Sequence, residues 1–383
     1  MAGYELNSNT SGLQPIAIEE GPMVEYPPPA APITVDRMST CDINAWDNYL
    51  QSSPFGLPTL FSGWKQIMAD TYGYPCHFLY ARQDGHIRGV LPLYHVKSPL
   101  TGNRLDSMPG ALCADTLEVA QMLASSADAL ARELKVDQLM LRDSRQDWTR
   151  FIPGLDFEAL ELHRGVARKL NSDSEELWKI VGKQFRNRVR HAHKDNSIRI
   201  DIDCSGLEDF YTTFNQFTHQ VGTPLFGKNF LKNIIKTMPD VYQIVKVYLD
   251  EKPIAGYFNF LSNKVIFGMW GACLREYYTL NISHKAYWAT MEWGCKHGYK
   301  SLDMGRSPYP SGQFDFKCHA GDAEYPIYQL FHVYRGKKPI GLQINDLEEG
   351  SQGLSLFRKV WPRLPLVVVQ ALGPRVRWHI PFG

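Results

Sequence analysis

Asp303, Arg306, Ser307 and Lys317 crowd one short stretch, LDMGRSPYPSGQFDFKCHAGDAEYPIYQLF at 302–331, which otherwise reads as two apolar runs joined by a Pro/Ser/Gly turn. A plain hairpin has no use for a carboxylate, a guanidinium and an ammonium around its turn. A cation fixed in place can stabilise negative charge that develops in a reaction, and a nearby carboxylate can take up a proton. Asp303 alternates with Leu302 and Met304, so it faces away from them. It is expected either to accept a proton or to hold Arg306. Lys317 follows a strand-like FDF just past the turn, which would keep its ammonium in place; the other reading is an exposed strand lysine. Asp143 closes a similar run, DQLMLRD, and is expected to serve as a base or as a turn cap. Arg306 and Ser307 are expected to shape the turn, with an anion contact as the other reading.

A second concentration of charge lies upstream, in NSDSEELWKIVGKQFRNRVRHAHKDNSIRIDID at 171–203. Ser172 and Glu175 have capping-box spacing ahead of an apolar-periodic run. The helix that follows would carry Lys183, Arg186, Arg190 and Lys194 on nearly one face, with no acidic residue between 177 and 194. A solvated face usually interleaves both signs. The one-signed face, and Lys183, Arg186 and Arg190 in particular, is therefore expected to bind a phosphate or carboxylate through guanidinium forks. Asp201 and Asp203 form a DID triplet, but strand alternation puts both on one outer face, and no metal role is expected of them. The seven cysteines are scattered without a C-x-x-C pair, as suits reduced thiols, and no metal site is expected.

The elements that must position these residues come in two similar sets. FSGWKQIMADTYGYPCHFLYARQDGHIRGVLPLYHV reads as helix, strand, turn at Asp84-Gly85, strand, and NFLKNIIKTMPDVYQIVKVYLDEKPIAGYFNFLS repeats that order about 170 residues later. Gly89 and Gly256 take matching places ahead of an apolar strand, where a neighbour could approach closely. Each set is followed by a helix and then by a strand ending at Asp143 or Asp303. The expected architecture is α/β, with mixed β-sheets flanked by helices and sites at strand ends between the two domains.

With 383 residues, 44% hydrophobic and 21% charged, the chain can bury large cores. A formal charge of +1 leaves any hold on a polyanion to local patches. No apolar run suits a signal peptide or a membrane span, so a cytoplasmic location is expected.

Several segments resemble FemAB-like transferases. LWKIVGKQFRNRVRHAHKDN is similar to the helix that opens their second domain, and the D-x-G-R-S strand end with Phe316-Lys317 and the following G-x-E is similar to their closing strand–turn–strand. GVLPLYHVKSPLTGNRLDSMPG and the C-terminal LFRKVWPRLPLVVVQALGPRVRWHIP resemble the branch linked to exopolysaccharide and PEP-CTERM systems. The resemblance covers about residues 35–380 and implies two tandem GNAT-like domains. It also implies acyl transfer to nitrogen, from aminoacyl-tRNA in the best-understood members, with Lys317 at the reacting carbonyl and Phe316 in the substrate site. CHAGD at 318–322 stands in place of a bulkier stretch, and ALCAD at 111–115 replaces a Gly-containing one. No R/Q-x-x-G-x-G/A pyrophosphate loop is present, which counts against acyl-CoA as donor. The implied domains are a tail at 1–32, a first domain at 33–165, a catalytic second at 166–350, and a tail at 351–383 that packs or meets a membrane. The implied partners are the acyl donor (aminoacyl-tRNA or acyl-CoA, with no resident cofactor), tRNA through that donor, an envelope or glycan precursor, and the inner face of the cytoplasmic membrane.

Overall fold

A computed structural model describes residues 32–145, 157–336 and 360–379. The repeated order of elements is present in both halves. The first comprises β1 (Thr34–Arg37), α1 (Ile43–Ser52), α2 (Gly63–Tyr72), β2 (Cys76–Gln83), β3 (His86–Ser98), β4 (Gly102–Ser107), the short β5 (Cys113–Ala114), α3 (Leu117–Glu133) and β6 (Gln138–Ser144). The second comprises β7 (Glu158–Lys169), α4 (Ser174–Ile180), α5 (Lys183–His193), β8 (Ile198–Asp203), α6 (Leu207–Gln220), α7 (Lys228–Thr237), β9 (Tyr242–Leu249), β10 (Lys252–Ser262) and β11 (Val265–Cys273). It continues through α8 (Ile282–Lys296), β12 (Ser301–Pro308), α9 (Gly312–Cys318) and β13 (Ala323–Val333), and α10 (Leu366–His379) follows.

Local chemistry accounts for the parts read from sequence. In α3, Thr116 caps the start by accepting from the Val119 amide, and Val119, Leu123, Ala127 and Leu130 fall on one buried stripe. The hairpin turns fall where expected, with left-handed φ at Asp84 and Gly85 and at Asp250 and Glu251. Gly89 and Gly256 do admit close neighbours. A Cβ on the first would stand 2.5 Å from Val119 of α3, and on the second 3.0 Å from Phe210 of α6.

The strands form one sheet in the order β1-β2-β3-β4-β6-β13-β7-β12-β11-β10-β9-β8, with β5 beside β3. The order is symmetric about the β13–β7 pair. After β6 the chain leaves the first half, and β7 pairs with β12 of the second; after β12 it returns, and β13 pairs with β6. Each half thus takes its closing strand from the other, and the boundary expected at 165/166 falls inside β7. In each half two parallel strands lose their pairing midway, β4/β6 after Asp106 and Met140, and β11/β12 after Phe267 and Asp303.

Alternation along the strands divides the core. Phe78 and Tyr80 of β2, and Tyr242 and Ile244 of β9, join one cluster that runs across both halves under α1, α2, α6 and α7. Leu79 and Ala81 face α3 on the other side, and Val245 and Val247 face the smaller cluster beside α8. Residues 360–379 cross between the halves. Trp361 is buried, Trp378 donates to the Tyr72 carbonyl at 2.7 Å, and His219 meets the Leu364 carbonyl. Of the two readings of the tail, Trp361 and Trp378 follow the packed one. Among the described residues no helix is long and apolar enough to cross a membrane. The expected tail at 1–32, apart from residue 32, and the stretch 337–359 lie outside the described residues.

Two local expectations are corrected. The basic segment is two helices, because Val181 is extended between α4 and α5 and the cap of α4 is Asp173, not Ser172. The Asp173 carboxylate closes on the Glu175 amide at 2.8 Å, two residues on. Such a local side-chain turn competes with helix continuation, so Ser172 is left outside. The FDF before Lys317 is helical rather than strand-like. Ser311 caps α9 by accepting from the Phe314 amide at 3.2 Å. Phe314, Lys317 and Cys318 then share the buried side at helical spacing.

Candidate active site

The strand exchange brings the ends of β6 and β12 together between the halves, and a cavity of about 210 Å³ opens there. Both strand gaps contribute to its wall: Met108, Pro109 and Gly110 with Asp143 and Arg145 from the first half, and Phe267, Gly268 and Met269 with Gly305 and Arg306 from the second. Two ion pairs cross the boundary in opposite senses. Arg306 donates to Asp143 at 2.8 Å, and Arg145 donates to Asp303. Asp303 therefore holds Arg145, not Arg306 as the sequence suggested. The strand exchange is the reason, since it sets Arg306 opposite the first half's carboxylate.

Each carboxylate is closely held. Asp303 also accepts from Tyr325 at 2.7 Å and from the Gly305 amide at 2.8 Å, while Asp143 also accepts from Gln329. Tyr325 reaches Asp303 over Gly165, its partner across the ladder, where a Cβ would overlap the tyrosine ring. Burial, opposed by Arg145 and reinforced by the Asp303 carboxylate, raises the Tyr325 hydroxyl far above the ordinary tyrosine range, so it acts as a neutral donor. The Arg145 guanidinium lies 4.6 Å from the centre of that ring, close enough for a cation–π contact. Burial works against its charge, but Tyr325 and Asp303 override that cost and hold it protonated. Asp143 has φ 47°, a left-handed value that a short polar side chain tolerates best among non-glycine residues.

Lys317 lies behind this wall. Its Nζ donates to the carbonyls of Gly305 and Arg306 at 3.1 and 3.0 Å, where the β12 ladder is interrupted between Asp303 and Arg306. Gly305 has φ 70°, and a Cβ there would overlap the Gly268 carbonyl. The irregularity therefore requires glycine. Burial pushes the Lys317 ammonium down to about 7, with Asp303 opposing and Arg306 adding to the shift.

Among the residues singled out from sequence, Asp143 and Arg306 line the cleft, and Asp303 and Lys317 support it from behind. Ser307 is fully buried, and its hydroxyl has no hydrogen-bond partner among the described residues. Phe316 packs edge-on against His284 at 4.7 Å, away from the cleft. Lys183, Arg186 and Arg190 also lie outside the cleft lining. Arg186 closes the end of α4 by donating to the carbonyls of Trp178, Lys179 and Val181. Arg190 stands over the Trp178 ring at 5.4 Å. Asp203, from the DID triplet, holds Lys246 at 2.8 Å.

Four further residues at the site were not found from sequence: Arg145, His163, Tyr325 and Arg377. Arg145 had a signal, since Asp143-x-Arg145 mirrors Asp303-x-x-Arg306 at the equivalent strand end. His163 is buried on β7, and burial together with the Arg306 and Lys317 cations, against Asp143, pushes its imidazole down to about 4. It is neutral near pH 7. Arg377 comes from α10 and also lines the cleft.

The family profile of the acetyltransferase (GNAT) domain matches residues 181–325. Among solved structures the chain is similar to FemX, at 14% identity and a TM-score of 0.60 over 77% of this chain and 96% of that one. It is also similar to the C-terminal domain (DUF2156) of a putative lysylphosphatidylglycerol synthetase from Agrobacterium fabrum, at 12% and 0.54 over 77% and 92%. A tandem GNAT protein from the clavulanic acid biosynthesis pathway matches at 9% and 0.52 over 80% and 100%. No curated protein sequence matches. At these identities the likeness is one of fold: the chain has two tandem GNAT-like halves with mixed strands flanked by helices.

Proposed function

We propose that this chain is an N-acyltransferase of the FemAB-like type, moving an acyl or aminoacyl group onto an amine of a cell-envelope or exopolysaccharide precursor. The observation that carries the reading is the cleft at the facing strand gaps, where the crossed pairs Asp143–Arg306 and Arg145–Asp303 meet. The amine nitrogen forms a bond to the acyl carbon, the bond to the leaving oxygen or sulfur breaks, and the nitrogen loses a proton. Arg306, half-exposed in the cleft, faces the developing oxyanion, where a preorganised cation contributes roughly 3 kcal/mol. Asp143 takes the proton, held in place by Arg306 and Gln329. In this reading Lys317 acts through the strand, fixing the Gly305–Arg306 irregularity that aims Arg306, and Asp303 does the same for Arg145. Aminoacyl-tRNA and acyl thioesters are the candidate donors. The branch resemblance supports an envelope or glycan acceptor on the cytoplasmic side, and contact with the membrane there would use the exposed Val367 and Val368 of α10.

The test is mass spectrometry of envelope precursors and surface glycans from cells with and without the gene, paired with purified protein supplied with each donor class. An acyl-amide product that depends on Arg306 supports the reading. Identical precursors and no transfer from either donor would leave a non-catalytic scaffold.

A further inference from the structure

The cleft lining combines charged side chains with a broad apolar surface, and acyl transfer as such needs only the charged ones. Trp64, Met68, Phe226, Phe230, Phe267 and Trp270 make the apolar surface, drawn from both halves. Their rings form a connected surface: Trp270 meets Phe226 at 5.1 Å and Phe230 at 5.9 Å, and Phe230 meets Trp64 at 6.0 Å. Such a wall offers dispersion contacts and no charge to a substrate. The space measures about 210 Å³. That corresponds to roughly seven waters of liquid volume, far more than a methyl or an alanyl side chain fills.

α10 supplies Arg377 to the same lining. The helix is docked tightly, since a Cβ on Gly373 would stand 2.9 Å from the Leu225 carbonyl in the loop that lines the cleft. Burial pushes the Arg377 guanidinium down to about 10, with Tyr72 opposing and Arg306 adding. Arg306 and Arg377 both line the cleft, and guanidiniums there favour an anionic or strongly polarised oxygen.

We propose that the cleft takes the hydrocarbon chain of a fatty acyl donor, with the carbonyl or carboxyl oxygen at Arg306 and Arg377. This rests on the acyl-transfer reading and narrows its donor to a fatty acyl thioester. The step balances: the amine nitrogen bonds to the thioester carbon, the carbon–sulfur bond breaks, and the proton leaving nitrogen passes through Asp143 to the departing thiolate.

Calorimetric titration of the full chain with unbranched fatty acids, from butyrate to palmitate and below their micelle concentrations, tests this without turnover. Affinity is expected to rise about fourfold per methylene and then level off once the cleft is full. Met269→Trp, at a half-buried cleft position, should move that plateau to shorter chains and leave the shortest acids unaffected. Arg377→Gln should weaken every acid by a similar factor, about tenfold. Affinity that ignores chain length, or a length dependence unchanged in Met269→Trp, overturns the proposal. Saturable, length-limited binding by a protein that transfers nothing would keep the hydrocarbon site and remove the acyl-transfer reading. Transfer of short or aminoacyl groups with flat binding across the series would do the reverse.

Discussion

The two halves open the same gap between parallel strands and close it with different chemistry. In the first half, where β4 and β6 part, the Arg142 amide donates to Ser107 Oγ at 2.8 Å and the Arg142 carbonyl accepts from the Gly110 amide at 2.9 Å. Asp106 sits fully buried between Arg104 and Arg142 at 3.3 and 3.0 Å. In the second half, where β11 and β12 part, the freed carbonyls of Gly305 and Arg306 are met by the Lys317 ammonium. The backbone at the first gap is closed by a hydroxyl and an amide, neither of which titrates near neutrality. At the second gap a buried amine does the same work, on the strand that carries Arg306. One gap is stitched permanently, while the other is held by a group whose charge can change.

The largest effect expected of breaking this contrast is at Lys317. Lys317→Met keeps most of the side chain's length but leaves two strand carbonyls without their donor, and acyl-transfer turnover should fall about a hundredfold or more as Arg306 loses its aim. Steady-state kinetics checks this, with circular dichroism to confirm the fold; near-normal turnover would show that the second gap needs no such tie. Asp303→Asn should come next, costing about 3 kcal/mol in urea unfolding, because breaking a buried pair leaves the other charge poorly compensated. The charge left behind is that of Arg145. Gly165→Ala should cost about 2 kcal/mol by the same measurement, as overpacking does. The added methyl pushes Tyr325 off Asp303.

The smallest effect belongs to the first gap. Ser107→Ala should cost about 1 kcal/mol for one lost backbone partner, leave turnover intact, and cost the same at every pH. The cost of Lys317→Met should instead vary with pH. The folded value is about 7 against 10.5 for free lysine, so the unfolded chain binds the extra proton between those limits. Wild-type stability relative to the Met variant should therefore rise from pH 7 to 10.5 and be lowest below pH 7. Parallel curves for the Ser107 and Lys317 variants would erase the contrast.

Much of the fold was legible because it is local. The helix–strand–hairpin order shows in periodicity and in the turns at Asp84-Gly85 and Asp250-Glu251, and its recurrence revealed the two halves. The exchange of β7 and β13 was not legible, since pairing between strands so distant in sequence leaves no local pattern, and it is that exchange which puts Arg306 on Asp143. The α9 segment was misread because Phe314 and Phe316 alternate like a strand while Ser311 caps a helix. The basic face at Arg186 and Arg190 was read for its charge alone. An arginine's carbonyl and ring partners on the preceding helix, α4, cannot be counted until the break at Val181 is known. At the cleft, residue types carried the information: Asp143, Asp303, Arg306 and Lys317 stand out in the sequence and the structure gathers them, but their pairing is not legible there.

A buried amine, not a strand-edge lysine in water, holds the second gap. Lysine labelled with carbon-13 at Cε, followed by NMR across a pH series in the wild type and in Lys317→Met, tests it directly. One resonance should titrate near pH 7 and vanish in the variant. If the resonance lost in the variant titrates instead near 10.5, with the exposed lysines, Lys317 is not the buried tie of the second gap.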